Sequence, residues 1–100
     1  NFVLDRKGTG LEVAAIVTDS VSGRVLEVKT TQPGIQFYTG NFLNGSFINH
    51  TGSPVNFRTA FCLETQHFPD SPNKPAFPTT ILQPGETYHT ETVYTVSLLK

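Results

Sequence analysis

No window of about 11 residues in this chain places apolar side chains at i, i+3, i+4 and i+7, the spacing an amphipathic helix requires. Val, Ile, Thr, Phe and Tyr gather instead in short runs between clusters of Gly, Pro, Asn and Ser. β-branched and aromatic residues suit a pleated, half-buried surface, and the residues between them supply turns. The chain is therefore expected to be all-β, a packed sandwich in preference to a small closed barrel.

Each run has a place. Phe2 to Leu4 reads as the end of a strand. Leu11 to Thr18 reads as a second strand, its alternation blurred at Ala14-Ala15. Arg24 to Thr30 alternates cleanly, with Leu26 and Val28 on one side and Glu27 and Lys29 on the other. Asp19-Ser20-Val21-Ser22-Gly23 between them is turn chemistry, which predicts a hairpin with one solvated face. Pro33-Gly34 then breaks the chain before a short strand from Ile35 to Tyr38. Thr39 to Asn56 is rich in Gly, Asn, Ser and Thr and reads as a long loop, a kind of segment that often carries function. Arg58 to Thr65 is the next predicted strand, with Phe61 and Leu63 on one face and Ala60, Cys62 and Glu64 on the other. Pro69, Pro72, Pro75 and Pro78 forbid regular pairing across the following segment. Thr79 to Leu82 is predicted as a short strand, and Thr87 to Leu98 as a long β-rich run with Tyr88, Tyr94, Val96 and Leu98 in one register.

Composition narrows the function classes. Lys plus Arg is 7 and Asp plus Glu is 8, a formal charge of −1. That leaves no basic face for a phosphate backbone, so no nucleic-acid partner is expected. An apolar share of 37% with little net charge is not the signature of disorder. The longest strongly apolar run, Val13 to Val17, is far short of the ~20 residues that cross a bilayer as a helix, so no membrane partner is expected. Cys62 is the one cysteine and has no partner for an intrachain disulfide. It reads as a buried, inert thiol on its strand, and an unpaired thiol favours a cytoplasmic setting. With 100 residues, Asn at position 1 and no methionine anywhere, the chain reads as a piece: a mature product, a proteolytic fragment or a partial sequence.

Few residues carry chemistry. His50, His67 and His89 are scattered, without metal-ligand spacing, and read as solvated loop histidines. Gly40-Asn41-Phe42-Leu43-Asn44-Gly45 lacks the lysine of a phosphate-cradling loop. Asn44-Gly45-Ser46 and Asn49-His50-Thr51 fit the N-glycosylation pattern, which matters only in a secreted protein. Glu64 is more informative, because it stands near the end of an otherwise apolar strand that feeds an irregular loop. Such a carboxylate is paired, solvated at the surface, or placed at a wet cleft for proton transfer. Gln36 is a second polar intrusion, between Ile35 and Phe37. Its amide both donates and accepts, which suits a sugar hydroxyl or a structural hydrogen bond equally. Phe37, Tyr38, Phe61, His67 and Phe68 offer rings for stacking on a sugar or for a core.

These residues lie in three stretches that together resemble the C-terminal part of the aldose 1-epimerase (galactose mutarotase) family. The first is Ser22-Gly23-Arg24-Val25-Leu26-Glu27-Val28, running into Thr30-Thr31-Gln32-Pro33-Gly34-Ile35-Gln36-Phe37-Tyr38-Thr39-Gly40-Asn41-Phe42-Leu43. The second is Phe61-Cys62-Leu63-Glu64-Thr65-Gln66-His67-Phe68-Pro69-Asp70, and the third is Pro78 followed by Leu82-Gln83-Pro84-Gly85-Glu86-Thr87-Tyr88. The resemblance implies that residues 1–100 are the C-terminal portion of one large antiparallel β-sandwich domain. It also implies interconversion of the α and β anomers of aldohexoses such as galactose and glucose, with no metal or cofactor. Glu64 matches the family's general base, and Gln36 matches a glutamine that contacts the sugar. An acidic residue that binds sugar hydroxyls falls just upstream of Asn1, and the general-acid histidine lies further upstream. His50, His67 and His89 do not match that histidine. The implied partners are the aldohexose and the N-terminal part of the same protein. The competing readings are a non-catalytic sugar-binding sandwich of the same ancestry and a sister enzyme for hexose phosphates. The latter calls for an Arg/Lys cluster that Arg58 and Lys74 do not make.

Overall fold

A computed structural model describes residues 1–100. Six strands follow one another: β1 (Phe2–Val3), β2 (Glu12–Thr18), β3 (Arg24–Thr30), β4 (Gly34–Tyr38), β5 (Cys62–Gln66) and β6 (Thr92–Leu98). A single 3₁₀ turn, Ser71–Asn73, is the only helical element. The strands form two antiparallel three-stranded sheets, ordered β1-β4-β5 and β2-β3-β6. The all-β expectation therefore holds.

The β2–β3 hairpin shows how the residues dictate the element. Asp19 accepts from the Val21 amide at 3.1 Å and binds the Ser22 hydroxyl, while Gly23 adopts a φ of 72°. A left-handed turn position of this kind favours glycine because it has no Cβ. The Ser22 hydroxyl, then the Val21 amide, hold the Asp19 carboxyl below its usual range. The blurred alternation at Ala14-Ala15 is a β-bulge: Val13 pairs with Lys29 and Ala15 with Val28, leaving Ala14 as the extra residue. The bulge returns Ala15 and Val17 to the face shared with Val28 and Leu26.

That face packs toward the other sheet. Phe2, Leu4, Ala14, Ala15, Val17, Ile35, Phe37 and Leu63 line an open apolar cleft of about 300 Å³ between the two sheets. Val28 is fully buried and Ile35 nearly so. The core is thin, and Tyr94, Val96 and Leu98, which share a face of β6, stay largely exposed.

Arg6 ties the β1–β2 connection to the end of β3. Its guanidinium donates to the carbonyls of Thr30 at 2.6 Å, Gln32 at 3.2 Å, Gly8 at 3.2 Å and Gly10. Glu12 closes the same turn by accepting the amides of Lys7 at 3.0 Å and Gly8 at 2.7 Å. The Lys7 amide is the main reason its carboxyl sits below the usual range.

Three sequence expectations need correction. Thr79–Leu82 forms no strand: the segment is exposed between Pro78 and Pro84, and its amides find no ladder. The run from Thr87 becomes a strand only at Thr92, so Tyr88 lies outside the β6 register. Arg58 does not open β5, because it turns left-handed at a φ of 54° and donates its amide to Gly40 instead.

Arg6 sets the first test. Hydrogen bonds from a charged donor contribute more than neutral ones, about 1.5–3 kcal/mol. Arg6→Ala is expected to lower unfolding stability by about 2 kcal/mol, read as a fall in urea midpoint at unchanged slope. Arg6→Lys is expected to recover only a fraction, because an ammonium lacks the planar fork that reaches several carbonyls.

Candidate functional site

Strands β4 and β5 build the site. Their ladder pairs Gly34 with Gln66, Gln36 with Glu64 and Tyr38 with Cys62. Residues two apart on a strand share a face, and directly opposed residues have Cβ atoms about 4.5–5.5 Å apart. Gln36 and Glu64, singled out separately in the sequence, are thus immediate cross-strand neighbours. Ile35, Phe37, Leu63 and Thr65 take the opposite face, three of them lining the inter-sheet cleft. The Gln36–Glu64 row therefore looks outward from the sandwich.

Glu64 is exposed and Gln36 half-buried. The chain's salt bridges join Lys29 to Glu27 and Lys74 to Asp70, and Glu64 takes part in neither. Of the readings open to Glu64, ion pairing is set aside: its carboxylate stands free on a solvated face.

Both ends of the row are bounded. At one end Asn1 accepts a hydrogen bond from the Gln66 side-chain amide at 3.1 Å. A Cβ on Gly34 would lie 2.9 Å from the Asn1 side-chain oxygen and 3.0 Å from the Phe68 ring. A Cβ here would push the end of the Asn1 side chain aside and press on the Phe68 ring. At the other end Tyr38 stacks with Phe42, ring centres 6.3 Å apart and 15° from parallel, and its hydroxyl accepts the Phe42 amide at 3.3 Å.

The other aromatic candidates divide. Phe68 meets Phe77 edge-on at 5.3 Å beside Gly34, so it borders the row. Phe37 and Phe61 pair edge-on at 6.1 Å, and Phe37 contributes to the inter-sheet cleft. His67 stands 6.3 Å from the Tyr88 ring and is half-buried, while His50 and His89 are exposed in loops. Cys62 corrects the sequence expectation of a buried thiol: it is exposed. The reason is parity, because Cys62 shares the outward face of an edge strand with Glu64.

Sequence reasoning missed Asn1, Gln66 and Phe42. Gln66 carried a signal, lying two residues beyond Glu64 and so on its face. Asn1 and Phe42 carried none, because their placement comes from pairing and turn geometry remote in sequence.

The sequence profile of the family described as Aldose 1-epimerase matches residues 1–95. The chain belongs to the aldose 1-epimerase family. Among its relatives, galactose mutarotase of Sus scrofa is 49% identical over 98 residues, covering 98% of this chain and 28% of the relative. Galactose mutarotase of Homo sapiens is 51% identical over 84 residues, covering 84% of this chain and 25% of the relative. Aldose 1-epimerase of Escherichia coli (strain K12) is 41% identical over 95 residues, covering 93% of this chain and 27% of the relative. The chain thus spans about a quarter of the length of these epimerase relatives. The matched span includes both β4 and β5, and with them the whole outward row.

Gly34 gives the second test. A methyl group forced into packed surroundings typically costs about 1–3 kcal/mol. Gly34→Ala is expected to destabilise by about 1 kcal/mol, the low end of that range, in chemical denaturation, because the Asn1 side chain swings aside and the Phe68 ring gives by a few tenths of an ångström.

Proposed function

We propose that residues 1–100 form the C-terminal part of a single mutarotase domain, in which Glu64 is the general base and Gln36 holds the sugar. The observation that carries this reading is the direct pairing of Gln36 with Glu64 on one outward face. The substrate class is an aldohexose such as galactose or glucose, in keeping with the names of the relatives.

The chemistry follows from the residue types. A carboxylate only accepts hydrogen bonds and protons, so Glu64 would take the proton of the anomeric hydroxyl. As that proton leaves, the C1–O5 bond breaks and the ring oxygen takes a proton from an acid. The resemblance assigns that acid to a histidine in the N-terminal part of the protein. Rotation about C1–C2 presents the other face of the aldehyde, and closure returns both protons. Gln36, one strand away, can donate to one hydroxyl and accept from another, fixing the ring while C1 turns. The bounding rings of Tyr38 and Phe68 offer apolar faces to the sugar's C–H edges.

The test uses the full-length protein and polarimetry on freshly dissolved α-D-galactose. Glu64→Gln keeps size and most hydrogen bonding but removes the basic oxygen. Its kcat is expected to fall at least ~10²-fold, the low end for a positioned base, with the thermal melt unchanged and the acid limb of the pH profile gone. Full activity in a folded Glu64→Gln protein would return Glu64 to a surface carboxylate. A wild-type protein that binds galactose without anomerising it would establish the non-catalytic binding sandwich.

A separate expectation concerns Gln36. Loss of one neutral hydrogen bond costs about 0.5–1.5 kcal/mol. Gln36→Ala is therefore expected to lower kcat/KM roughly two- to tenfold with the fold intact. An unchanged kcat/KM would leave Gln36 a structural amide.

A further inference from the structure

Within residues 1–100, the strand that carries Glu64 has one neighbour. β5 pairs with β4 alone, so a single ladder holds its backbone from the side. A second set of contacts reaches it from the opposite sheet. The Tyr94 hydroxyl donates to the Leu63 carbonyl at 2.8 Å. The Thr65 and Thr92 hydroxyls share a hydrogen bond of 2.6 Å. Leu63 and Thr65 are the residues immediately before and after Glu64, and Thr92 and Tyr94 are two apart on β6. The two ties thus straddle Glu64.

The ties are anchored in turn. Thr92 also bonds the Thr30 hydroxyl at 2.9 Å, and Thr30, fully buried, donates to the Glu91 carbonyl at 3.1 Å. One proton arrangement satisfies every hydroxyl: Thr65 donates to Thr92, Thr92 to Thr30, and Thr30 to the Glu91 carbonyl. Thr30 meanwhile accepts the Gln32 amide at 3.0 Å. Chains of this kind are stiffer than isolated pairs because each bond polarises the next. The β3–β6 ladder fixes Thr92 opposite Thr30 and Tyr94 opposite Val28, so the chain ends in β3, where Val28 and Thr30 are fully buried.

We infer that Thr92 and Tyr94 are positioning residues for Glu64: through Thr65 and Leu63 they fix the strand backbone on both sides of it and so aim its carboxylate. This rests on the reading of Glu64 as the general base. It assigns a role in aiming the base to two residues of β6 that reach β5 from the opposite sheet.

The experiment uses the full-length protein with four variants: Tyr94→Phe, Thr92→Val, Thr92→Ser and Glu64→Gln. Tyr94→Phe removes one hydroxyl and keeps the ring. An ångström-scale misplacement of a catalytic group can cost ~10²-fold. Tyr94→Phe and Thr92→Val are each expected to lower kcat about tenfold, with KM within about twofold, because Gln36 stays on the doubly paired β4. Thr92→Ser, which keeps the hydroxyl, is expected to restore most of the rate. The acid limb of the pH profile is expected to persist in Tyr94→Phe at reduced amplitude, since the Glu64 carboxylate is retained, and to vanish in Glu64→Gln.

Wild-type kcat in Tyr94→Phe and Thr92→Val, beside an inactive Glu64→Gln, would overturn the positioning role and leave the base assignment standing. A rise in KM at constant kcat would overturn it too. An active Glu64→Gln would overturn both. Should Thr92→Val fail to fold, Tyr94→Phe decides alone.

Discussion

The register of β4 against β5 is the constraint on which the site depends. Side chains alternate with a period of two, so a slip of one residue moves a strand's entire set to the other face. A slip of β5 by one would turn Glu64 and Cys62 into the inter-sheet cleft and push Leu63 and Thr65 into water. It would strand a carboxylate among Phe2, Ile35 and Phe37. Burying an unpaired carboxylate costs several kcal/mol, far more than a single ladder bond returns. The apolar cleft and the outward row thus enforce each other, and the pairing of Gln36 with Glu64 follows from where the apolar residues must go.

Register alone does not hold two sheets together. Apart from Val28 and Ile35 few apolar side chains are buried, and β1, β2, β5 and β6 are all edges of their sheets. Polar links add to the apolar layer: the Thr30–Thr92–Thr65 hydroxyl chain and Tyr94 cross between the sheets, while Arg6 ties the β1–β2 connection to the end of β3. Directional links specify a relative placement that a thin apolar layer would leave loose. The broad exposed face of β6, with Tyr94, Val96 and Leu98, accords with a chain that spans about a quarter of its relatives' length.

Much of this is legible in the sequence, for identifiable reasons. The bounds of Arg24–Thr30 can be read directly, because its alternation is clean and turn residues close both ends. The site pair is legible because Gln36 and Glu64 interrupt apolar strands, where a polar residue needs a reason. Their adjacency is not, since antiparallel pairing across the long loop from Thr39 depends on tertiary register. Thr79–Leu82 misleads because β-favouring residues form a strand only where a partner offers a ladder. Cys62 misleads because cysteine is usually buried, and strand parity on an edge overrides that preference. The hydroxyl chain leaves no trace, because threonine in a strand looks like any other β-former until its partners, 62 and 27 residues away, are placed.

If Glu64 is the general base proposed above, its position reconciles two demands on a carboxylate that is to accept a proton. It must stay solvated, because burial disfavours the charged form. It must also be held still, because proton transfer needs a defined approach. A buried residue gains rigidity from packing, whereas an exposed one does not. A β-strand separates the two demands by parity. The outward residue meets water, while the residues on either side point inward and take hold of the opposite sheet. Thr65 suits that inward position on three counts. Its methyl group fits an apolar interior, its hydroxyl bonds Thr92, and its branched Cβ restricts the rotamer that carries the hydroxyl. Leu63 contributes its carbonyl, which an edge strand leaves available, and Tyr94 reaches it across the gap. Exposure and order at Glu64 thus come from alternate residues of one strand: its own side chain faces outward, and those of its two neighbours face the opposite sheet.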